Sequence, residues 1–359
     1  MRITENRLSD GRELRYYDTA GAPERTATDQ RDLPTVQTTS ELRYDAVLDQ
    51  WVMIAGHRQA RTYKPSTENC PLCPTKPGRL TEVPESDYQV VVFQNRFPAL
   101  APAPAELPGE AHGTLASRPG AGRCEVICFT PDHTTPVSAL KPEQLGLVIE
   151  AWRDRTAALA GLPGVEQVFC FENSGADIGV TLDHPHGQIY GYPFVTPRTA
   201  RMITSATGYR QRTGRNLFED RLSDELSDGR RIVLRTDHWT AFVPHAARWP
   251  YEVHAYPNRR VPDLNALDAD QLAELPAVYL DLLGRFRRLF DEPAPYISAW
   301  HQAPVRTGRD ELALHLELFT VRRTSDKLKY LAGSESGMDA FANDVLPEVA
   351  AERLRSLAD

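Results

Sequence analysis

Two histidines and a glutamine spaced two apart, in the run His184-Pro185-His186-Gly187-Gln188, are the residues whose types and spacing best suit chemistry. In an extended segment alternate side chains share a face, so His184, His186 and Gln188 would meet in one pocket. An imidazole that is neutral near pH 7 can attack phosphorus and carry the transferred group as a phosphoramidate, which splits one hard displacement into two easier ones. A glycine beside it would let a phosphate approach the backbone. The run reads as a phosphoryl-transfer site. Spaced histidines also serve as metal ligands or satisfied core residues. The flanks, Val180-Thr181-Leu182-Asp183 and Ile189-Tyr190-Gly191-Tyr192-Pro193-Phe194, make this string far more specific than an isolated pair.

A second constellation is Cys70-Pro71-Leu72-Cys73. Such a knuckle can place two thiolates on one zinc at about 2.3 Å, but zinc takes four ligands and the chain holds no second C-x2-C. A redox role fits poorly, because the knuckle lies in a Pro-rich loop and not at a helix start. A free cysteine pair at a turn is the remaining alternative. Cys124, Cys128 and Cys170 lie in apolar, strand-like surroundings and read as small buried hydrophobes.

The elements that must position these residues emerge from an internal repeat. Cys124 to Phe129, a helix opened by Leu140 to Leu145, the strand Val165 to Phe169 and then His186 are matched by a second copy. That copy is Tyr251 to Tyr256, a helix opened by Leu267 to Leu272, the strand Tyr296 to Trp300 and then His315. Aligned on Glu125 and Glu252, the copies reach their histidines after 61 and 63 positions. Each copy is strand, helix, strand, strand, and its free edge can pair with the other copy to complete a common sheet. Leu145, Val148, Ile149 and Trp152 give the first helix its core stripe; Leu272, Leu275, Val278, Tyr279, Leu282, Leu283 and Phe286 give the second. Arg285, Arg287 and Arg288 read as a solvated helix end matched to the dipole. Residues 1–40 read as a polar, partly ordered arm, 41–198 and 199–359 as the two halves, and Pro98 to Gly122 as a surface loop. Copy two has Ala313-Leu314-His315-Leu316-Glu317 where copy one has the reactive string, so one copy catalyses and the other supports.

Composition sets outer limits. A chain of 359 residues with 41% hydrophobic and 25% charged residues suits a globular protein with a sizeable core. A net charge of -8 without a dense Lys/Arg block disfavours nucleic-acid binding. No run of 18 apolar residues offers a membrane span, and the polar first ten residues predict an untargeted, cytoplasmic protein. Five cysteines without a disulfide-like rhythm agree with a reducing compartment.

On the string His184 to Gln188 and its flanks, the chain resembles the galactose-1-phosphate uridylyltransferases, a branch of the histidine-triad superfamily, from about residue 42 onward. Hydrolases of that superfamily carry a third histidine where this chain has Gln188, and a sugar-phosphate leaving group hardly needs the proton that histidine would supply. The resemblance implies an α+β fold of two tandem histidine-triad-like halves whose largely antiparallel sheet forms one joined core. It implies that His186 is the nucleophile of a ping-pong exchange of UMP between UDP-glucose and galactose 1-phosphate. It brings Arg58 and Arg61 to the nucleotide phosphates, Asn95 and Arg96 to the uridine, and Asn173, Ser174 and Gly175 to the phosphates. It brings Lys329, Tyr330, Ser334 and Glu335 to the hexose, with Glu335 on the sugar hydroxyls. It completes the Cys70–Cys73 knuckle with His133, in Pro131-Asp132-His133, and His184, as a structural zinc site. It also implies a homodimer.

The chain departs from the family pattern at a second metal site built from a Glu downstream of the string and three later histidines. His301 and His315 match two positions, but Glu317 replaces the third histidine and Met202 the upstream Glu. The degenerate site of His301, His315 and Glu317 is expected to be empty or remodelled. Two other functions compete: a related nucleotidyltransferase or phosphorylase acting on an ADP-sugar, and a zinc-stabilised binding module without catalysis, which an intact nucleophile string argues against.

Overall fold

The computed structural model describes residues 1–35, 38–60, 64–102, 104 and 113–358. Eleven strands form its central sheet. They are β1 (Arg2–Arg7), β2 (Glu13–Asp18), β3 (Val90–Gln94), β4 (Arg123–Cys128), β5 (Gln167–Ser174), β6 (His186–Tyr192), β7 (Ile232–Arg235), β8 (Trp239–Phe242), β9 (Tyr251–Pro257), β10 (Tyr296–His301) and β11 (His315–Thr320). Their spatial order is β1-β2-β3-β4-β6-β5-β10-β11-β9-β8-β7, with every neighbouring pair antiparallel. From the β5–β10 joint, where Tyr296 faces Ser174 and Trp300 faces Cys170, five strands run outward on each side in matching order, with β1 as an unmatched sixth on one side. The two repeat copies thus meet edge to edge, each covering the strand that the other would leave unpaired.

Helices α1 (Pro142–Ala160) and α4 (Ala269–Arg287) cover one face, with α2 (Pro197–Thr213) and α3 (Leu217–Asp228) between them in the chain. α1 starts with Pro142, whose missing N–H costs nothing there. α4 starts with a capping box, in which Asp268 accepts from the Gln271 N–H and the Gln271 side chain accepts from the Asp268 N–H. Their apolar stripes are buried in one core shared by both halves, with Trp152, Tyr279 and Trp300 in edge or tilted ring contact. The opposite face of the sheet carries the site. Alternation along the paired strands puts His186, Gln188, Phe171, His301, His315, Glu317 and His254 on it.

Four local expectations are corrected. Residues 1–18 are not an arm: β1 and β2 extend the sheet, with Leu14 opposite Phe93 and Tyr16 opposite Val91, so that the Val-rich β3 is not left as an edge. Part of the Pro98 to Gly122 stretch is a strand, Ser117–Pro119, paired to Glu41–Asp45 in a separate three-stranded sheet. Arg285 is buried, paired with Asp281 at 2.6 Å, and donates to the Leu354 carbonyl at 2.8 Å, while Arg288 donates to Leu357; the cluster clamps the C-terminal helix Pro347–Arg355. The repeat alignment also slips by one residue. Val126 lies opposite Gln188 as His254 lies opposite Glu317, so Glu125 and Glu252 are not equivalent. Glu125 lies under α1 in a bidentate pair with Arg155, whereas Glu252 shares the site face with His254. A one-residue slip exchanges faces.

Candidate active site

Strand β6 presents His186 and Gln188 to a cleft lined by Arg58, Leu72, Glu82, Phe93, Asn95, Arg96, Phe97, Thr181 and Leu182. The His186 Nδ1 lies 2.7 Å from the His184 carbonyl oxygen. A carbonyl only accepts, so Nδ1 carries the hydrogen and Nε2 keeps its lone pair. Burial lowers the His186 pKa, which favours the neutral, nucleophilic form at pH 7. The Gln188 Oε1 accepts from the Tyr190 hydroxyl at 3.1 Å, so its NH2 is the end left to donate to an oxygen in the cleft. Gly187 serves packing and not phosphate approach: an added Cβ would sit 2.8 Å from the Phe129 ring and 2.9 Å from the Phe171 carbonyl.

Cys70, Cys73, His133 and His184 converge with their donor atoms within 4.8 Å of one another, a group that can hold a metal ion. The Cys73 sulfur lies 3.4 Å from His133 Nδ1 and 3.5 Å from His184 Nδ1. His184 Nε2 donates to the Thr130 carbonyl at 2.8 Å, which leaves Nδ1 bare for a cation. Burial holds His184 at a pKa of about 4 and pushes the Cys70 thiol up to about 11. The imidazole is therefore ready to ligate, while the thiol needs a cation to ionise. The donor set fits a tetrahedral ion.

The sequence profile of the galactose-1-phosphate uridyl transferase N-terminal domain matches residues 27–196, and that of the C-terminal domain matches residues 203–359. The chain belongs to the galactose-1-phosphate uridylyltransferase family. It is 49% identical to the galactose-1-phosphate uridylyltransferase of Streptomyces lividans over 370 residues, covering 100% of this chain and 99% of that one. The enzyme of the same name from Thermotoga maritima is 35% identical over 319 residues, covering 88% and 98%. A solved uridylyltransferase structure superposes with a TM-score of 0.80 at 30% identity, covering 88% of this chain and 98% of that one. An ADP-glucose phosphorylase from Arabidopsis thaliana shares the fold, with a TM-score of 0.65 at 21% identity over 88% of this chain and 98% of its own.

The expected residues fall into four groups. His186, Gln188, Arg58, Asn95 and Arg96 share the cleft. Asn95 is fixed by its Oδ1 accepting from the Phe97 N–H at 2.8 Å, and Arg96 lies 3.8 Å from Glu82. Asn173 and Ser174 end β5 just past the Glu172–Gly187 pair, next to His186, and Gly175 follows with φ +102°, where an added Cβ would meet Pro295 at 2.7 Å. Arg61 lies outside the described residues. Lys329, Tyr330, Ser334 and Glu335 do not line the cleft. Lys329 pairs with Glu335 at 2.9 Å, Ser334 donates to Ala340, and Tyr330 is exposed.

His301, His315 and Glu317 do come together, with both histidines 3.4 Å from the Glu317 carboxylate. The group that can hold a metal there is His254, His315 and Glu317. His254 was missed, although it stands in the very strand that defined the repeat. Its register opposite Glu317 is a long-range fact with no local signature. Glu82 was missed for the same reason: it is a buried carboxylate in the cleft, held by Arg12 at 2.5 Å and Arg31 at 2.8 Å.

Proposed function

We propose that the protein exchanges UMP between UDP-glucose and galactose 1-phosphate, giving glucose 1-phosphate and UDP-galactose, through a uridylyl-His186 intermediate. The observation that carries this reading is the free Nε2 of a neutral His186 beside the Gln188 carboxamide in one cleft. In the first half-reaction Nε2 attacks the α-phosphorus of UDP-glucose; the N–P bond forms as the P–O bond to glucose 1-phosphate breaks. That group leaves as a phosphate anion and needs no proton. In the second, the phosphate of galactose 1-phosphate attacks the same phosphorus and His186 leaves with its lone pair restored. Gln188 and Arg58, with Asn173 and its neighbours Ser174 and Gly175, stabilise charge on the non-bridging oxygens. Phe93, Phe97 and Leu72 offer apolar walls to the uracil, with Asn95 and Arg96 as polar contacts.

Zinc is the ion proposed for Cys70, Cys73, His133 and His184, where it would lock the residue two before the nucleophile; with four protein donors it has a structural role. His184 ties that centre to catalysis, because its carbonyl is the group that fixes the His186 tautomer. All five cysteines are free and buried, which suits a cytoplasmic location, and no described helix is long and apolar enough to cross a membrane. A homodimer suits the exposed Tyr330, Leu331 and Met338 of the tail, whose sugar-binding residues stand away from their own cleft. The test is isotope exchange with galactose 1-phosphate, using UDP-glucose and ADP-glucose in parallel. UDP-glucose alone should exchange; equal or preferential use of ADP-glucose would overturn the base assignment.

A further inference from the structure

The cluster on the C-terminal half gathers three histidines around a carboxylate whose charge is already met, and one of them, His254, is already held through Nε2 by Glu252 at 2.8 Å. Glu317 lies in the middle of β11, its side chain only 3% exposed. His301 and His315 approach it to 3.4 Å and His254 to 3.7 Å. His315 Nδ1 is taken by the Ala313 carbonyl at 2.9 Å, so the nitrogen facing Glu317 is Nε2 with its lone pair. Lone pairs of one imidazole and one carboxylate turned toward each other in a buried site call for a cation between them. The donor atoms of His254, His315 and Glu317 all lie within 4.8 Å of one another, the spacing a divalent metal would use.

The cation present is Arg198. One guanidinium nitrogen, Nη2, donates to both Glu317 oxygens at 2.7 Å, a charge-assisted contact that engages both ends of the carboxylate. The arginine is held in place from behind. It stands in the first turn of helix α2 (Pro197–Thr213), and that turn is pinned to β5 through the buried Gln167. Gln167 Oε1 accepts from the Thr196 N–H at 2.9 Å, and its Nε2 donates to the Thr199 hydroxyl at 2.8 Å. A guanidinium and a divalent ion cannot both occupy the front of one carboxylate, since each needs the same lone pairs and they repel one another.

We propose that Arg198 is the resident cation of this cluster, standing where a metal would sit, and that removing it turns His254, His315 and Glu317 into a divalent-metal site. The second metal site of the family pattern is thus filled by a side chain of the protein itself.

The experiment is zinc and cobalt titration of the purified full-length protein, with metal per chain counted by mass spectrometry and cobalt ligand-field bands recorded. Arg198→Ala should bind one equivalent more than wild type, with nitrogen- and oxygen-type cobalt bands, and Arg198→Lys should stay at the wild-type count. The added equivalent should disappear in Arg198→Ala/His315→Ala. The quantity read is the increment, so a failure of the zinc assignment at Cys70 and Cys73 would lower both counts and leave it intact. A wild-type protein that already binds an equivalent lost on His315→Ala overturns the proposal. So does an Arg198→Ala protein of native circular dichroism that gains no metal.

Discussion

His186 differs from an ordinary buried imidazole in which nitrogen it leaves free, and that choice is made by a neighbour two residues away. The His184 carbonyl takes the Nδ1 hydrogen, while the His184 ring belongs to the metal group. Gln188 is tuned in the same way, with Tyr190 claiming its oxygen. The pseudo-equivalent position in the other half is Glu317, an acceptor alone, and that half carries no nucleophile string. Gln188→Glu would place a carboxylate against phosphoryl oxygens and remove a donor, so transfer should fall by about 10²–10³-fold with folding retained. Rapid-quench rates for the two half-reactions, unchanged from wild type, would remove Gln188 from the phosphate site. At the metal group, Cys73→Ala should lose the bound ion. It should also lower the melting temperature, at roughly 2 °C for each kcal/mol in a chain of this size. Activity per folded molecule should persist, because the ion has no open position for substrate. Metal analysis that finds no ion in the native protein would refute this assignment.

At the scale of elements, the β5–β10 joint carries a buried acid that the reaction does not use. Glu172 accepts from the Tyr296 hydroxyl at 2.7 Å through one oxygen, and its other oxygen has no hydrogen-bond partner among the described residues. Burial pushes its pKa up to about 8 from an ordinary 4.5. Below about pH 4.5 both folded and unfolded states hold the proton. Between there and about pH 8 only the unfolded state gives it up, so the folded state loses stability as pH rises, and the loss levels off above pH 8. Glu172→Gln should melt higher than wild type by a margin that grows from pH 5 to pH 8; a constant margin across that range would contradict a neutral Glu172. The joint also shows what a sequence reveals and what it hides. The reactive string, the Cys70–Cys73 knuckle and the strand-helix-strand-strand repeat were legible because each rests on residue type and local spacing, whereas His133 and His184 joined the knuckle only through the family resemblance. Register was not. Glu125 and Glu252 look equivalent along the chain yet occupy opposite faces, because one is paired to Arg155 of α1 and the other to His254. The same non-local pairing hid His254, the sheet-extending role of β2 and the clamp formed by Arg285.

At the scale of the molecule, two copies of one unit share a sheet and a core but divide the chemistry. The N-terminal copy keeps a neutral imidazole and an amide in an open cleft. The C-terminal copy meets the carboxylate on its corresponding face with an internal ion pair, and its tail leaves the residues assigned to the sugar outside the cleft. That arrangement predicts a dimer at micromolar concentration in sedimentation velocity; a monomer with full activity would show that the tail is not needed at a partner's cleft. The central claim is that one histidine holds the transferred group between two half-reactions. Intact-protein mass spectrometry after mixing with UDP-glucose tests it most directly. The account predicts one UMP-sized increment per chain, discharged by galactose 1-phosphate and absent in His186→Gly. Exchange at the wild-type rate with no increment, or an increment that survives His186→Gly, would contradict it.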